Sequence, residues 1–565
     1  MLTSLPPFIV FFIGALLAAL TRGAVRKGIL IGTPVVGAIM LLNATHGIAV
    51  QVEILDYTLI VHRIDKLSLL FGYLFHIAAL IGVIYALHLR DTIQHVAALL
   101  YAGSALGAVF AGDLITLFIF WELLAVTSVF LIWARRTERA YRAGFRYLII
   151  QVLSGVILMA GAALNYYATG SLAFERFDLQ HAGSWLILLA FGIKCAFPFL
   201  HNWLTDAYPE ATPTGTVFLS AFTTKVAVYA LARGFPGTEL LIYVGAVMTC
   251  FPIFYAVIEN DLRRVLAYSM INQVGFMVCG IGIGTDLALN GAVAHAFNDV
   301  IFKGVLMMSM GAVLLRTGTI NGSELGGLYK SMPKTAGLCI VGAASISAFP
   351  LFSGFVSKSM VMVAMLEQGH PWLWLMLLFA SAGVFHHAGI KIPYFAFFAH
   401  DAGFRVREAP GNMLLAMSLG ATLCILIGVY PSALYRLLPY SLDYVPYHAT
   451  HVIAQMQLLF FSALAFTWLK LSGIYPPELP SINIDAEWLY RRGGRRAMCA
   501  LAAVFDSADA QWRVTANRGL QALRSVAFRS HGPGGLLADA WPTGRVVWLV
   551  IATLGFVLIY NYISR

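Results

Sequence analysis

Charge is what this chain has least of: Asp, Glu, Lys and Arg make up 11% of its 565 residues, against 59% hydrophobic ones. A water-soluble domain of this length could not cover its surface with so little charge, so that class is excluded. Cysteine is sparse too. Cys195, Cys250, Cys279, Cys339, Cys424 and Cys499 have neither metal-ligand spacing nor the paired pattern of a secreted scaffold, and read as packing residues. The chain lacks a Walker A lysine motif, a dinucleotide glycine fingerprint between strand and helix, a His-Glu-x-x-His and a cysteine cluster for iron–sulfur ligation. No cofactor and no metal are therefore expected. The net charge of +10 comes from basic residues in short turns between apolar runs and in one late segment, which meet anionic lipid and not nucleic acid. The first apolar stretch has no basic n-region and no small-residue cleavage site, so it reads as a span and not as a removable signal.

What the chain has in quantity is apolar length. Runs of about 17–25 residues cross a bilayer as helices, because a helix satisfies its own backbone groups where no water can. Such runs lie near 5–21, 28–46, 66–87, 93–111, 113–133, 144–168, 184–204, 214–232, 238–258, 264–284, 288–315, 335–366, 372–398, 412–430, 450–470 and 545–562. The expectation is an all-α polytopic membrane protein with about sixteen transmembrane helices, the long run at 335–366 being one interrupted crossing. Every second loop is basic: Arg22, Arg26 and Lys27; Arg90; Arg135, Arg136, Arg139 and Arg142; Arg263 and Arg264; Lys330 and Lys334; Arg405 and Arg407. The positive-inside rule puts these loops in the cytoplasm and both termini on the other side. Arg63, Arg176, Arg233 and Arg436 are exceptions, and the loop 205–213, with Asp206 and Glu210, weakens the pattern locally.

After residue 471 the character changes. Pro476, Pro477 and Pro480 interrupt the chain, and Arg491, Arg492, Arg495 and Arg496 follow. Leu501, Val504, Phe505, Ala508, Trp512, Ala516, Leu520 and Leu523 then recur at helical spacing opposite Arg513, Arg518 and Arg524, so an amphipathic helix is expected along a membrane or a partner. Gly532 to Gly535 ends it, and 545–562 re-enters the bilayer.

The few charges inside the apolar runs carry the functional signal. Glu122 stands near the middle of 113–133, where an ionised side chain costs roughly 2.5–3.5 kcal/mol and normally faces protein or water. Lys194, Lys225, Lys303 and Lys358 are similarly placed and are its candidate partners, Lys194 being the best candidate counter-ion. Lys303 is about a dozen residues from either end of its run, roughly 18 Å along the helix, beyond the reach of a snorkelling stem. Burial disfavours the charge of an ammonium and a nearby carboxylate restores it, so such pairs can sit between protonation states. A water-linked series of them is what proton transfer across a bilayer requires; static ion pairing between helices is the bland alternative. His295, Asp299 and Lys303 recur four residues apart, near one helix face, and an imidazole there could hand protons along it or simply pack. His386 and His387 are open to the same two readings, and Lys391, near the end of its run, to snorkelling or to ending a proton path. Ala-Phe-Pro occurs twice inside spans, at 196–198 and 348–350, each beside a lysine. Pro198 and Pro350 should open both helices at mid-membrane, and paired broken helices point to a transporter's ion site.

Four stretches resemble a known family. They are Asp-Leu-Ile-Thr-Leu-Phe-Ile-Phe-Trp-Glu (113–122), Gly-Ile-Lys-Cys-Ala-Phe-Pro-Phe-Leu-His-Asn-Trp-Leu-Thr-Asp-Ala (192–207), Thr-Thr-Lys-Val-Ala-Val-Tyr-Ala-Leu-Ala-Arg (223–233) and Ser-Ala-Phe-Pro-Leu-Phe-Ser-Gly-Phe-Val-Ser-Lys (347–358). Over about residues 65–430 the chain is similar to the antiporter-like membrane subunits of Mrp-type cation/proton antiporters, respiratory complex I and membrane-bound hydrogenases. The resemblance implies two inverted five-helix repeats, each with a broken helix, around a mid-membrane polar axis. It implies N-terminal helices at 1–92, a first repeat at 93–232, a second at 238–398, further helices at 399–471, a basic lateral segment at 472–544 and a last span at 545–565. By motif position Glu122 looks like the family's helix-five glutamate, Lys194 and Lys225 its helix-seven and helix-eight lysines, Lys303 the link to the second half and Lys358 the terminal charge. His295 matches the first of two family histidines, and Asp299 stands where many relatives have the second, which departs from a histidine-to-histidine relay. Asp485-Ala-Glu-Trp-Leu-Tyr-Arg-Arg (485–492) and the length resemble the longer D-type Mrp subunits.

The resulting expectation is part of a transporter and not a free-standing enzyme: the proton-translocating member of a multisubunit Na+/K+–proton antiporter in a prokaryotic plasma membrane. Other membrane subunits, lipid, protons and Na+ or K+ are its expected partners. The same chemistry would serve a pump module of a redox enzyme, a hydrogenase or an inorganic-carbon uptake complex. A structural scaffold whose charges only pair helices is the alternative from another class.

Overall fold

The computed structural model describes residues 5–54, 57–480, 483–535, 537–538 and 541–564, which form two compact units, 1–483 and 484–565. In the first unit α1 (Pro7–Leu20) and α2 (Gly23–Leu42) precede a hairpin of β1 (Gly47–Ile54) and β2 (Tyr57–Ile64). Then come α3 (Lys66–Ala86), α4 (Thr92–Phe110), α5 (Leu114–Trp133), α6 (Glu138–Thr169), α7 (Ala182–Lys194), α8 (Asn202–Ala207), α9 (Gly215–Ala221) and α10 (Thr223–Gly234). The run continues through α11 (Leu240–Ile258), α12 (Leu262–Ile283), α13 (Asp286–Thr317), α14 (Pro333–Ile346), α15 (Ser353–Glu367), α16 (Pro371–Val384), α17 (Gly411–Val429), α18 (Ser432–Tyr435) and α19 (Ala449–Leu471). The second unit holds α20 (Arg495–His531) and α21 (Thr543–Ile563).

Helix ends sit where the side chains can close them. Asp65, Asp91, Asp113, Thr137, Asp261 and Thr285 each accept a first-turn backbone N–H, opening α3, α4, α5, α6, α12 and α13. Such caps are worth about 1 kcal/mol each, and they matter most where no water can replace them. Gly170 and Gly318, at φ 70° and 80°, close the two longest helices of this unit, α6 and α13, in the left-handed conformation that only glycine adopts without strain.

These marks repeat at a spacing of 148 residues. Caps Asp113 and Thr137 recur as Asp261 and Thr285, and closing Gly170 recurs as Gly318. The isolated bridge Asp113–Ala173 recurs as Asp261–Asn321. Both long helices, α6 and α13, have 32 residues. The breaks repeat as well: Ala196 and Phe199 have φ 61° and 66°, and Ala348 and Leu351 have 57° and 72°. Left-handed backbone at a residue with a Cβ costs roughly 1–2 kcal/mol. In both turns it falls on the residue two before the proline and on the residue just after it, so the Ala-Phe-Pro segments at Pro198 and Pro350 share one strained geometry.

Thirteen helices among the described residues are long and apolar enough to cross a bilayer, and α1, α7 and α14 are shorter apolar helices. The chain is a multi-pass membrane protein. Some details differ from the sequence expectation. The hairpin was not expected; β2 is joined to the start of α5 by Ile60, whose N–H donates to Asp113 Oδ2 (2.7 Å) and whose carbonyl accepts from Gly112 N–H (2.8 Å). Arg139 and Arg142, assigned to a loop, lie in the first turns of α6, which begins at Glu138. The run 214–232 is broken at Phe222, between α9 and α10, and 372–398 changes from α16 into π-helical turns at Phe385–Lys391 and Tyr394–Phe398.

Burial follows position in the bundle. Every residue of α9 is buried, as are nearly all of α10, α12 and α13, whereas α19 buries only Leu459 and Phe466. The central helices carry the charges. In the second unit the 37 residues of α20 extend roughly 55 Å at 1.5 Å per residue. Leu501, Phe505, Trp512 and Leu520 form one apolar stripe along it, opposite its arginines, the pattern of an amphipathic helix.

Candidate functional site

Lys194 is the last residue of α7, just before the break, and is fully buried. Its Nζ donates to the carbonyl oxygen of Trp121 at 2.5 Å and lies 4.6 Å from the centre of that indole. Trp121 is itself fixed: Nε1 donates to Ser154 Oγ (3.0 Å), which donates to Ala190 O (2.8 Å). Glu122 is the next residue. Its carboxylate and the Lys194 ammonium interact electrostatically, but they form no ion pair among the described residues, so the expected counter-ion is reached through the Trp121 carbonyl. Glu122 Oε1 is buried without a hydrogen-bond partner, and α6 makes room for it with Gly155, where a Cβ would collide with that oxygen. Gln151, one turn earlier on α6, has both amide atoms buried and unpaired. Polar atoms left in this state ask for water.

The centre of the unit holds a closer pair. Lys225 is the third residue of α10, immediately after the break at Phe222, and its Nζ lies 2.5 Å from Asp299 Oδ2 on α13. Both side chains are wholly buried. Ser220 O is 3.4 Å from the same Nζ, and neither Asp299 oxygen has a well-aligned hydrogen bond, so the contact is ionic and leaves carboxylate lone pairs open. Asp299, assigned from the sequence a modifying position, is therefore the direct partner of Lys225.

One turn along α13, Lys303 Nζ donates to Ser269 Oγ on α12 at 2.8 Å. One turn the other way, His295 Nε2 is 2.9 Å from Gln273 Oε1 and Nδ1 is 3.1 Å from Ser357 Oγ. The Gln273 amide nitrogen is taken up by Asn272 Oδ1 (2.7 Å), so its oxygen faces the ring; Nε2 then carries the hydrogen and Nδ1 is the accepting nitrogen. Lys358 Nζ, on α15 beyond the second break, is 3.4 Å from Ile346 O and 4.9 Å from the Phe276 ring centre. Asp299 acts electrostatically on both Lys303 and Lys358, and His295 on the same side feels Lys225, Lys303 and Lys358. One carboxylate thus faces three ammonium groups.

The lysines differ in how many of their three donors are used. Lys194, Lys303 and Lys358 each have one protein acceptor. Lys391 has three: Val257 O (2.6 Å), Glu259 O (2.7 Å) and Glu478 Oε1 (2.9 Å), in a wholly buried setting. Two of its donors are taken by carbonyls and its charge is paired with Glu478, so Lys391 fastens the segment around Glu478 to the end of α11. His387 is buried between Lys303 and Lys391, with neither ring nitrogen in a well-formed hydrogen bond among the described residues. His386 packs against Phe466 and Tyr475. Pro198 and Pro350 lie in the breaks beside Lys194 and ahead of Lys358.

Sequence reasoning passed over Ser269, Gln273, Ser357, Gly155 and Glu478. The first two stand with Ser269-x-x-Asn272-Gln273 as the polar residues of an apolar run, which is a legible signal; Glu478 is not, because it lies in a proline-rich stretch outside the spans. Among the described residues no group of three or more His, Cys, Asp or Glu is disposed to hold a metal ion.

Comparison with known proteins identifies relatives of this chain. The profile of the NADH:quinone oxidoreductase/Mrp antiporter transmembrane family matches residues 111–384, the stretch holding Glu122, Lys194, Lys225, His295, Asp299, Lys303 and Lys358 but not His386, His387, Lys391 or Glu478. The D-type Na+/H+ antiporter subunit of Alkalihalophilus pseudofirmus is 30% identical over 364 residues, 60% of this chain and 72% of that protein. The A-type subunit from the same organism is 30% identical over 424 residues, 66% of this chain and 52% of that protein, so this chain spans about half of its length. The fold resembles a chain of the archaeal membrane-bound sulfane sulfur reductase, with a TM-score of 0.70 at 22% identity, covering 97% of this chain and 100% of the other.

Proposed function

Because this chain belongs to the NADH:quinone oxidoreductase/Mrp antiporter transmembrane family, we propose that it is the proton-translocating subunit of a multisubunit Na+/K+–proton antiporter. The observation that carries the reading is the Lys225–Asp299 pair, wholly buried at 2.5 Å and flanked by Lys303, Lys358 and His295. Removing two charges from water costs several kcal/mol per ion, and a pair replaced by packed apolar residues is often no less stable, so stability alone does not account for a charged series here.

In mechanism, a proton arriving at the Glu122–Lys194 neighbourhood weakens their mutual attraction. The Lys194 ammonium holds only one acceptor and is free to exchange with water at the unpaired Glu122 and Gln151 atoms. A change of charge there alters the field at Lys225, on which Asp299 can keep or loosen its hold. Lys303 and Lys358 compete for the same carboxylate, so releasing one ion pair favours another, and charge passes along the series. Moving one charge through 100 mV is worth about 2.3 kcal/mol. A shift of one pKa unit is worth about 1.4 kcal/mol, so coupling through one or two such pairs is of the right size.

The repeat of 148 residues supports two five-crossing halves in opposite senses, since an odd number of crossings inverts the second. Basic residues at 135–142, 263–264, 330–334 and 405–407, in loops and in the first turns of α6 and α12, support the placement of these ends in the cytoplasm, both termini on the other side, and the plasma membrane of a prokaryote as the site. Other membrane subunits are its proposed partners.

A second reading is favoured by the fold likeness to a respiratory membrane complex: the same series would be a pump module driven by a redox partner. Everted vesicles from cells with and without the chain decide between them. The antiporter reading expects Na+ or K+ to collapse a preformed pH gradient only when the chain is present, and small membrane subunits to copurify with it. A gradient unaffected by either cation, with hydrophilic metal-cluster subunits copurifying, would replace it with the second.

A further inference from the structure

Polar groups on α19 are not used by the series described above. This helix turns most of its surface outward, yet His448, His451 and Gln455, at positions that share one face, look inward on a cleft of about 730 Å3 between α15, α16 and α19. The same cleft is lined by Lys358.

His451 is held in one orientation. Its ring stacks on Phe355 at 4.3 Å between centres and 17° between planes, and Nδ1 is 2.8 Å from the carbonyl of Pro446. A carbonyl only accepts, so in the neutral ring Nδ1 carries the hydrogen and Nε2 keeps its lone pair. No hydrogen bond engages that Nε2 among the described residues. Phe355 precedes Lys358 by three residues, about 4.5 Å of rise along α15, so the residue His451 stacks on and the lysine lie one turn apart on the wall of the same cleft. Gln455 Nε2 donates to Ser347 O at 3.2 Å, a carbonyl released where α14 ends, which pins the polar face of α19 to the second break. Among the described residues the Lys358 ammonium has one hydrogen-bond acceptor, Ile346 O at 3.4 Å, beside the Phe276 ring, and so has donors to spare for water in the cleft.

We propose that His451 is the proton port of Lys358: its Nε2 takes a proton from, or returns one to, the terminal lysine through water in the cleft, and Nδ1–H stays on the Pro446 carbonyl. The inference rests on the reading of Lys358 as the last member of the proton series. In each transfer the ammonium loses one proton and the imidazole gains it, becoming imidazolium, which then releases a proton to water at the mouth beside His448. The cleft is wide enough for a free imidazole to stand in for a missing ring.

The test is proton transport by the intact host complex in vesicles, carrying His451→Ala or Lys358→Ala, with and without imidazole. Each is compared with the unsubstituted complex in the same imidazole, which cancels the reagent's own effect on the gradient. His451→Ala should slow transport on the order of tenfold, and imidazole should restore most of the loss. Lys358→Ala should stop transport and show no response. If His451→Ala fails to assemble, His451→Gln, whose amide can still donate to Pro446 O, carries the same expectation. Transport by the His451 variant at the unsubstituted rate, or a loss that imidazole does not relieve, overturns the port. Normal transport by Lys358→Ala overturns the series itself, and the port with it.

Discussion

Lys225 on α10 and Asp299 on α13 stand 2.5 Å apart with neither side chain exposed, joining the helix after one break to the helix that carries His295 and Lys303. Taking away one partner leaves the other charged and unpaired. Asp299→Ala or Lys225→Ala should therefore destabilise the folded subunit by about 3–5 kcal/mol, read as loss of assembled complex or of thermal stability in detergent. Replacing both, with Lys225→Met and Asp299→Leu, should recover assembly without recovering transport. Recovery of both would mean that the pair serves only packing.

Gly155 gives a second test because nothing but a hydrogen fits against the Glu122 carboxylate. Gly155→Ala should displace Glu122 and reduce proton-coupled transport on the order of tenfold, equivalent to about 1.4 kcal/mol of barrier. Adding Glu122→Asp, which shortens the acid by one methylene, should recover part of the loss. A Gly155→Ala protein with full activity would show that the carboxylate need not lie against α6.

Lys391 should behave as an anchor and not as a carrier. Two carbonyls and the Glu478 carboxylate hold its ammonium, whereas Lys194, Lys303 and Lys358 have one protein acceptor each among the described residues. Glu478→Gln should loosen the segment around residue 478, raising its cleavage by protease, while slowing transport far less than loss of Lys194. Abolished transport with unchanged protease resistance would put Lys391 and Glu478 in the proton path.

The loop after the π-helical turns predicts what should not depend on pH near neutrality. Hydrogen bonds from Arg405, Lys330 and the Gly403 N–H hold the Asp401 carboxyl well below the usual carboxylate range. A depressed carboxyl contributes stability that is present above its unfolded value of about 4 and is lost as pH falls through the folded value. The loop should stay docked throughout the neutral range, and Asp401→Asn should leave the pH profile of transport unchanged; a shifted profile would implicate this loop in proton handling.

Much of this architecture is legible in the chain because the bilayer leaves few ways to satisfy a backbone. The apolar runs, the doubled Ala-Phe-Pro and the acidic or hydroxyl caps each have one structural meaning there. The hairpin fills the gap between the apolar runs 28–46 and 66–87, where Ile48, Val50, Val52 and Ile54 alternate with Ala49, Gln51 and Glu53, a period-two signal too short to stand as a span. The site was legible in membership and not in pairing. Glu122 and the lysines announce themselves as charges in apolar runs, but which acid meets which base is set by helix packing: Asp299 reads on its own helix as a neighbour of His295 and Lys303, and its partner lies 74 residues earlier, across the bundle. The reverse happened at Glu122, whose expected direct contact with Lys194 is replaced by a bond to the adjacent carbonyl. A main-chain oxygen at the right place has no sequence signature.

The central claim is that charge moves along this series, and it is tested most directly by proton flux in everted vesicles bearing Glu122→Gln or Lys194→Ala in the assembled complex. Both variants should assemble in normal amounts, and proton-coupled transport should be lost in each. Assembled complexes that transport protons at the unsubstituted rate would contradict it.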